Sequence, residues 1–162
     1  MGLDMYFYER HYFPKKENKH GYLVPQSFTV ATQPYGKARK RFKDVIYITC
    51  KVGQFRKANA IHWWILKNCW DSDDKDSANC KQIYISSEQV RQLKDICIEL
   101  LGYRGEKFKQ KAYELLPTHG GFFWGSTEYD KWYKCDLRDF VKMANKLHMD
   151  DPHIDLFYEP SW

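Results

Sequence analysis

The chain has 162 residues, of which 43% are apolar and 17% aromatic, and it carries a net charge of +5. A chain this long buries roughly two-thirds of its unfolded surface as one domain, and its apolar share excludes wholesale disorder. It contains no run of about 18 apolar residues, which excludes a helical membrane span, and its five cysteines (50, 69, 80, 97 and 135) are odd in number and lack CxxC spacing, which excludes a zinc knuckle and a disulfide framework.

The cysteines therefore read as reduced thiols of a cytoplasmic protein. Met1-Gly2-Leu3-Asp4 lacks the basic start of a signal peptide, and Tyr6 stands where a myristoylation pattern needs Ser or Thr. Neither the cysteine nor the histidine spacing offers a tetrahedral set, so no structural metal and no cofactor is expected.

In chain order, residues 3–9 are rich in aromatics and read as a strand buried on most of its surface. Residues 10–43 carry prolines and glycines among charges and read as a long basic loop or flap, with a short strand near Tyr22–Val24. Residues 1–57 hold 12 Lys/Arg against 4 Asp/Glu, and residues 58–162 hold 14 against 17, so the positive charge is concentrated in the first third. The run Lys37-Ala38-Arg39-Lys40-Arg41-Phe42-Lys43 meets phosphates or forms a solvated loop. It lacks the stacked aromatic spacing of a nucleic-acid platform. Asp44–Lys51 is the clearest strand, with Val45, Tyr47 or Ile46, Ile48 expected beneath the helices.

A helix is expected from about Arg56 to Trp70. At about 100° per residue, Ala58, Asn59, Ile61, His62, Ile65, Leu66 and Cys69 fall on one side, and Lys57, Trp64, Lys67 and Asn68 on the other. His62 thus sits in the apolar stripe, either as a core histidine or as part of a polar wall with Arg56 and Asn59. Trp64, on the polar side, marks a second packing layer or a dimer contact.

Asp71–Lys81 reads as an acidic loop and Gln82–Ile85 as a short strand. Ser86 and Gln89 form a capping box for a helix with Val90, Leu93, Cys97, Leu100 and Leu101 at core spacing. Gly102 and Gly105 break it, and Lys107–Leu116 resumes until Pro117. Thr118-His119-Gly120-Gly121 reads as a turn and Phe122-Phe123-Trp124 as a short strand. Thr127 is expected to cap the last helix, making a weak anion site of amides 128–130, with a start as late as Asp136 as the alternative. Tyr133, Leu137, Phe140, Val141, Ala144 and Leu147 form its stripe. Ile154–Tyr158 reads as an edge strand. The mixture lacks regular βαβ spacing and predicts an α+β fold, a small mixed or antiparallel sheet packed with three to four helices in a single domain, residues 1–162.

Two segments carry candidate chemistry. In the first, Arg56 and Lys57 suit phosphate, while Asn59 and His62 suit orienting hydrogen bonds. In the second, Thr118, Phe123, Thr127 and Tyr129 surround glycines that permit close approach of a ligand. For an enzyme, His62 or His119 is the candidate general acid or base.

The segments MGLDMY, RKANAIHxW and LLPTxxGFFxGSTEYDxWY resemble those of a family of small uncharacterised proteins from phages and prophage-bearing bacteria. The resemblance implies a biological setting, the cytoplasm of an infected or prophage-carrying cell, and no activity. The expected function is capture of a nucleotide-derived, phosphorylated signalling molecule, as an anti-defence sponge. A metal-independent phosphodiesterase or nuclease and a protein-binding inhibitor are the alternatives. A homo-oligomer is the expected state, since spare Trp and Tyr residues would leave apolar patches on a monomer, and nucleic acid has only the charge asymmetry in its favour.

Overall fold

The computed structural model describes residues 2–24, 26–31 and 39–162. Along the chain run β1 (Asp4–Tyr12), β2 (Lys16–Glu17), β3 (Leu23–Val24), β4 (Gln26–Ala31), β5 (Arg39–Val45), β6 (Tyr47–Arg56), α1 (Asn59–Cys69), β7 (Ile83–Ile85), α2 (Ser87–Leu101), α3 (Gly105–Leu115), α4 (Lys131–Ala144) and β8 (Ile154–Ser161). The main sheet has four antiparallel strands in the order β6-β1-β8-β7, and β2-β3 and β4-β5 are separate two-stranded pairs. The fold is a single α+β domain, with four α-helices among the described residues.

Strand β1 alternates as a strand with one face in the core must. Leu3, Met5, Phe7 and Glu9 are buried, while Tyr6, Tyr8 and Arg10 on the other face are half-exposed. Phe7 pairs with Tyr158 of β8 and packs edge-on against Phe55 and Phe140. The core therefore lies between one sheet face and the helices. A bulge between Phe7 and Tyr8 leaves Val52 of β6 without an opposite number. The next residue, Gly53, lies directly under α4, where an added Cβ would stand 2.1 Å from the Met143 sulfur.

The capping box forms as expected: Ser86 Oγ accepts the Gln89 amide, and Gln89 Oε1 accepts the Ser86 amide. Ile61, Ile65, Val90, Leu93, Cys97, Leu137 and Phe140 are buried, whereas Val141 is half-buried.

Several expectations are corrected. The region expected as a loop with one short strand near Tyr22–Val24 has that strand, β3, but also carries β2, β4 and β5 in two pairs, and β1 itself runs on to Tyr12. Lys37 and Ala38 of the basic run lie outside the described residues, and Arg39–Lys43 belong to β5. Ile46, Tyr47 and Ile48 are exposed rather than core, because this end of β6 pairs with the end of β1, beyond the row of buried residues. Strand β8 is central, between β1 and β7, not at an edge. Phe122–Trp124 is a turn rather than a strand. Of the two readings of Trp64, its half-buried packing against the core fits the second packing layer. The last helix starts from Asp130, whose Oδ1 accepts the amides of Trp132 and Tyr133, so Thr127 is not its cap.

Candidate functional site

The junction between β6 and α1 is tied to the loop that precedes α4. Lys57 holds a left-handed backbone angle, φ 58°, that turns the chain from strand to helix. Its amide donates to the Leu3 carbonyl at 2.9 Å, and the Leu3 amide donates to the Phe123 carbonyl at 2.9 Å. Gly125, at φ 97°, leaves room for this turn: a Cβ there would lie 2.8 Å from Lys57 Cβ. A Cβ on Gly2 would lie 2.6 Å from Lys57 Cε, so the lysine stem lies close to both glycines.

Asn59 completes the tie. Its Nδ2 donates to the His119 carbonyl at 2.7 Å and its Oδ1 accepts the His119 amide at 2.8 Å. Thr118 Oγ1 donates to the Thr127 carbonyl at 2.9 Å, and Tyr129 Oη accepts the Thr118 amide at 3.3 Å. The polar groups of Asn59, Thr118 and Tyr129 thus hold the protein's own loop together.

Lys57, Asn59, Thr118, Glu128, Asp130 and Asp136 line a cavity of about 50 Å³ here. That holds a few waters and is far below the several hundred Å³ of a ligand pocket. Burial, with Asp139 and Asp130 adding repulsion, pushes the Asp136 carboxyl up to about 7. A lining that holds three acids and one lysine disfavours phosphate. Arg56 is exposed beside Asp4, at 3.8 Å, and the amide of Glu128 is bonded to Ser126 Oγ. The anion site expected at amides 128–130 loses both its helix start and this donor.

His62 is fully buried. Its Nδ1 shares a hydrogen bond of 2.7 Å with Tyr158 Oη, and its Nε2 is enclosed with no hydrogen-bonding partner among the described residues. Trp124 and Trp162 stand edge-on to the ring, at centroid distances of 4.6 and 5.1 Å. This apolar enclosure disfavours the imidazolium and pushes the pKa down to about 3. His62 therefore lies against the second segment, as a neutral core histidine with no access to a ligand.

On the far side of Trp124 is an open groove of about 520 Å³, within the range of small-molecule sites. Its walls are Trp63, His119, Phe122, Phe123, Trp124 and Trp162. The Trp63 and His119 rings stack at 3.8 Å and 9°, while Phe122 is 95% exposed and edge-on to Phe123 at 4.8 Å. Asp73, Asp74 and Asp76 form part of the lining. The only lysine among them, Lys75, donates its Nζ to the Trp70 and Ser72 carbonyls, at 3.1 and 2.8 Å. Asp74 Oδ1 accepts the Asp76 amide at 3.1 Å, and an apolar ring surface beside carboxylates suits a flat group that carries hydrogen-bond donors or positive charge.

The two expected segments do meet, but they divide the expected residues. Lys57, Asn59, Thr118, Thr127 and Tyr129 belong to this tie, a strap between the β6–α1 junction and the loop before α4, and to the small cavity it encloses. Arg56 stays outside both, exposed beside Asp4; Phe123 and His119 belong to the groove; His62 lies beneath it. Trp63, Phe122, Trp124, Trp162 and the three aspartates were missed. The helical wheel does place Trp63 next to Asn59, about 40° away, whereas nothing in the sequence assigns Trp162 to this wall. Comparison with protein-family models, with curated proteins and with solved structures finds no match.

Proposed function

We propose that the protein captures a small nucleotide-derived ligand by its base, in the groove of Trp63, His119, Phe122 and Trp124. The observation that carries this reading is an open aromatic groove, floored by the buried Trp124 and walled by the stacked Trp63–His119 pair, with the nearly fully exposed Phe122 ring at its lip. Base–aromatic stacking contributes about 1–3 kcal/mol per base. Carboxylates such as those of Asp73, Asp74 and Asp76 in the lining accept hydrogen bonds from amino and imino groups, which supports recognition of a base edge. The same carboxylates repel phosphate, so the phosphorylated end of the ligand points to solvent. In the setting implied by the resemblance to phage proteins, the protein sequesters a signalling nucleotide in the bacterial cytoplasm as an anti-defence factor. The exposed rings of Tyr113 and Trp132 favour a homo-oligomer.

The phosphodiesterase reading loses its acid–base pair on this geometry. His62 is neutral and enclosed, which leaves His119 alone. Titrating the four ribonucleosides and their mono- and cyclic phosphates against tryptophan fluorescence tests the proposal. Saturable quenching by at least one base, with the ligand recovered intact, supports capture. Recovery of fragments means catalysis, and no quenching by any nucleoside or nucleotide rejects the base-binding groove.

A further inference from the structure

The core-facing row of β1 changes chemistry along its length. Leu3, Met5 and Phe7 are apolar, and the next residue in the row is Glu9, 2% exposed, followed by His11. A carboxylate so deeply buried needs partners. Glu9 Oε2 lies 3.1 Å from His11 Nε2 and 3.1 Å from His148 Nδ1, while Glu9 Oε1 accepts the His148 backbone amide at 2.7 Å. One ligand atom from each of the three side chains falls within 4.8 Å of the others. The two histidine rings meet edge to face at 5.8 Å, with His148 on the turn after α4.

We propose that Glu9, His11 and His148 form a binding site for one divalent ion of the zinc class. Two imidazoles and one carboxylate are the ligand set of open zinc sites, in which water takes the fourth position. Ligand atoms about 2.0–2.1 Å from a tetrahedral zinc lie roughly 3.3–3.4 Å apart. The two 3.1 Å separations are close to that spacing, and the two imidazole nitrogens, within 4.8 Å of each other, close around the ion by rotation of the exposed His148 ring. The backbone amide on Oε1 anchors the carboxylate, the kind of outer support that metal-ligating carboxylates have; Oε2 faces both imidazoles, and Oε1 lies 3.3 Å from His148 Nδ1. His11 is partly exposed and His148 more so, which gives the ion an entry path and leaves room for the water. The site is six to eight residues along β1 from Leu3, roughly 20–26 Å, so it stands independently of the aromatic groove. It departs from the expectation of no metal, which rested on spacing along the chain. Glu9 and His11 share a strand face, and the chain brings His148 to them from 137 residues away, measured from His11.

The test uses the tag-free full chain stripped with chelator. Zinc chloride is titrated by calorimetry, and cobalt(II) is added separately for its visible d–d bands. One equivalent of zinc is expected to bind and raise the melting temperature, and cobalt is expected to show tetrahedral-type bands. His11→Ala, His148→Ala and Glu9→Gln are each expected to weaken zinc binding by at least about 100-fold, since losing even an outer-shell partner costs about 10–100-fold. His20→Ala, a histidine outside the cluster, is expected to change nothing. His148 lies at the surface, His11 is partly exposed, and Glu9→Gln keeps the shape of the buried side chain; circular dichroism verifies that all three variants remain folded. Absence of stoichiometric binding, or binding unchanged in all three variants, overturns the proposal and leaves Glu9 as a carboxylate held by two imidazoles.

Discussion

Asn59 and His119 are bound to each other twice, the side-chain amide of Asn59 answering both the carbonyl and the amide of His119 across 60 residues of chain. Asn59 is 3% exposed, and its removal leaves the His119 carbonyl and amide without the side-chain partner that both have inside the fold. Asn59→Ala is expected to cost about 2 kcal/mol and to lower the melting temperature by about 4–8 °C at this chain length. Asn59→Asp, which sets a carboxylate oxygen against the His119 carbonyl, is expected to cost more. Thermal unfolding followed by circular dichroism checks both. If Asn59→Ala melts with the wild type, the double bond is not what holds the loop.

Phe122 offers the opposite test, because its ring touches solvent on almost every side. Phe122→Ala is expected to leave the melting temperature within about 1–2 °C, as surface substitutions do. It is expected to weaken base binding by about tenfold, the loss of one stacking wall. Fluorescence titration of the best-binding nucleoside measures the second effect. Binding that persists at wild-type strength would move the ligand away from this lip.

The parts of the fold legible in the sequence are those that local chemistry decides. The Ser86–Gln89 capping box, the stripe of α4 and the burial of His62 all follow from spacing within a few residues. The strap is not local: Leu3 bonds to Phe123, and Lys57 bonds to Leu3 and packs against Gly125. An apolar Phe-Phe-Trp triplet bounded by glycines reads as a strand, yet its backbone is spent on a turn, with the Trp124 amide donating to the Gly121 carbonyl. The groove was illegible for a related reason. Its aromatic walls come from α1, the loop before α4 and the last residue of the chain, and its aspartates come from a segment that reads only as an acidic loop.

Gly125 is the residue on which the strap closes. At φ 97° an L side chain is strained, and a Cβ would stand 2.8 Å from Lys57 Cβ and 3.1 Å from its carbonyl oxygen. Gly125→Ala is therefore expected to destabilise by about 1–3 kcal/mol, whereas Gly120→Ala, with open space around its Cβ position, is expected to be nearly neutral. Denaturant midpoints of the two variants measure the contrast. Equal midpoints would show that the loop moves away from Lys57 at little cost.

His62 gives the chain a defined response to acid. Its folded pKa of about 3 lies below the unfolded value of 6.5, so between these values the unfolded chain takes up a proton that the folded chain refuses. Stability is fully present above about pH 6.5 and falls as the pH drops toward 3, by at most about 1.4 kcal/mol per pH unit. Asp136 works in the other direction. Its carboxyl is raised from 3.8 to about 7, so its contribution is greatest below about pH 4 and is lost as the pH rises through 7. The two slopes oppose each other between about pH 4 and 6.5, and a wild-type profile alone does not separate them. His62→Gln, which cannot take up a proton and still offers Tyr158 a polar partner, is expected to be less stable than the wild type at pH 7.5. The difference is expected to shrink steadily as the pH falls to 4. Urea unfolding of both proteins at half-unit intervals measures that difference directly. A constant gap across the range would mean that His62 takes up its proton equally well in the folded and unfolded chain, and that the enclosure by Trp124, Tyr158 and Trp162 does not exclude charge.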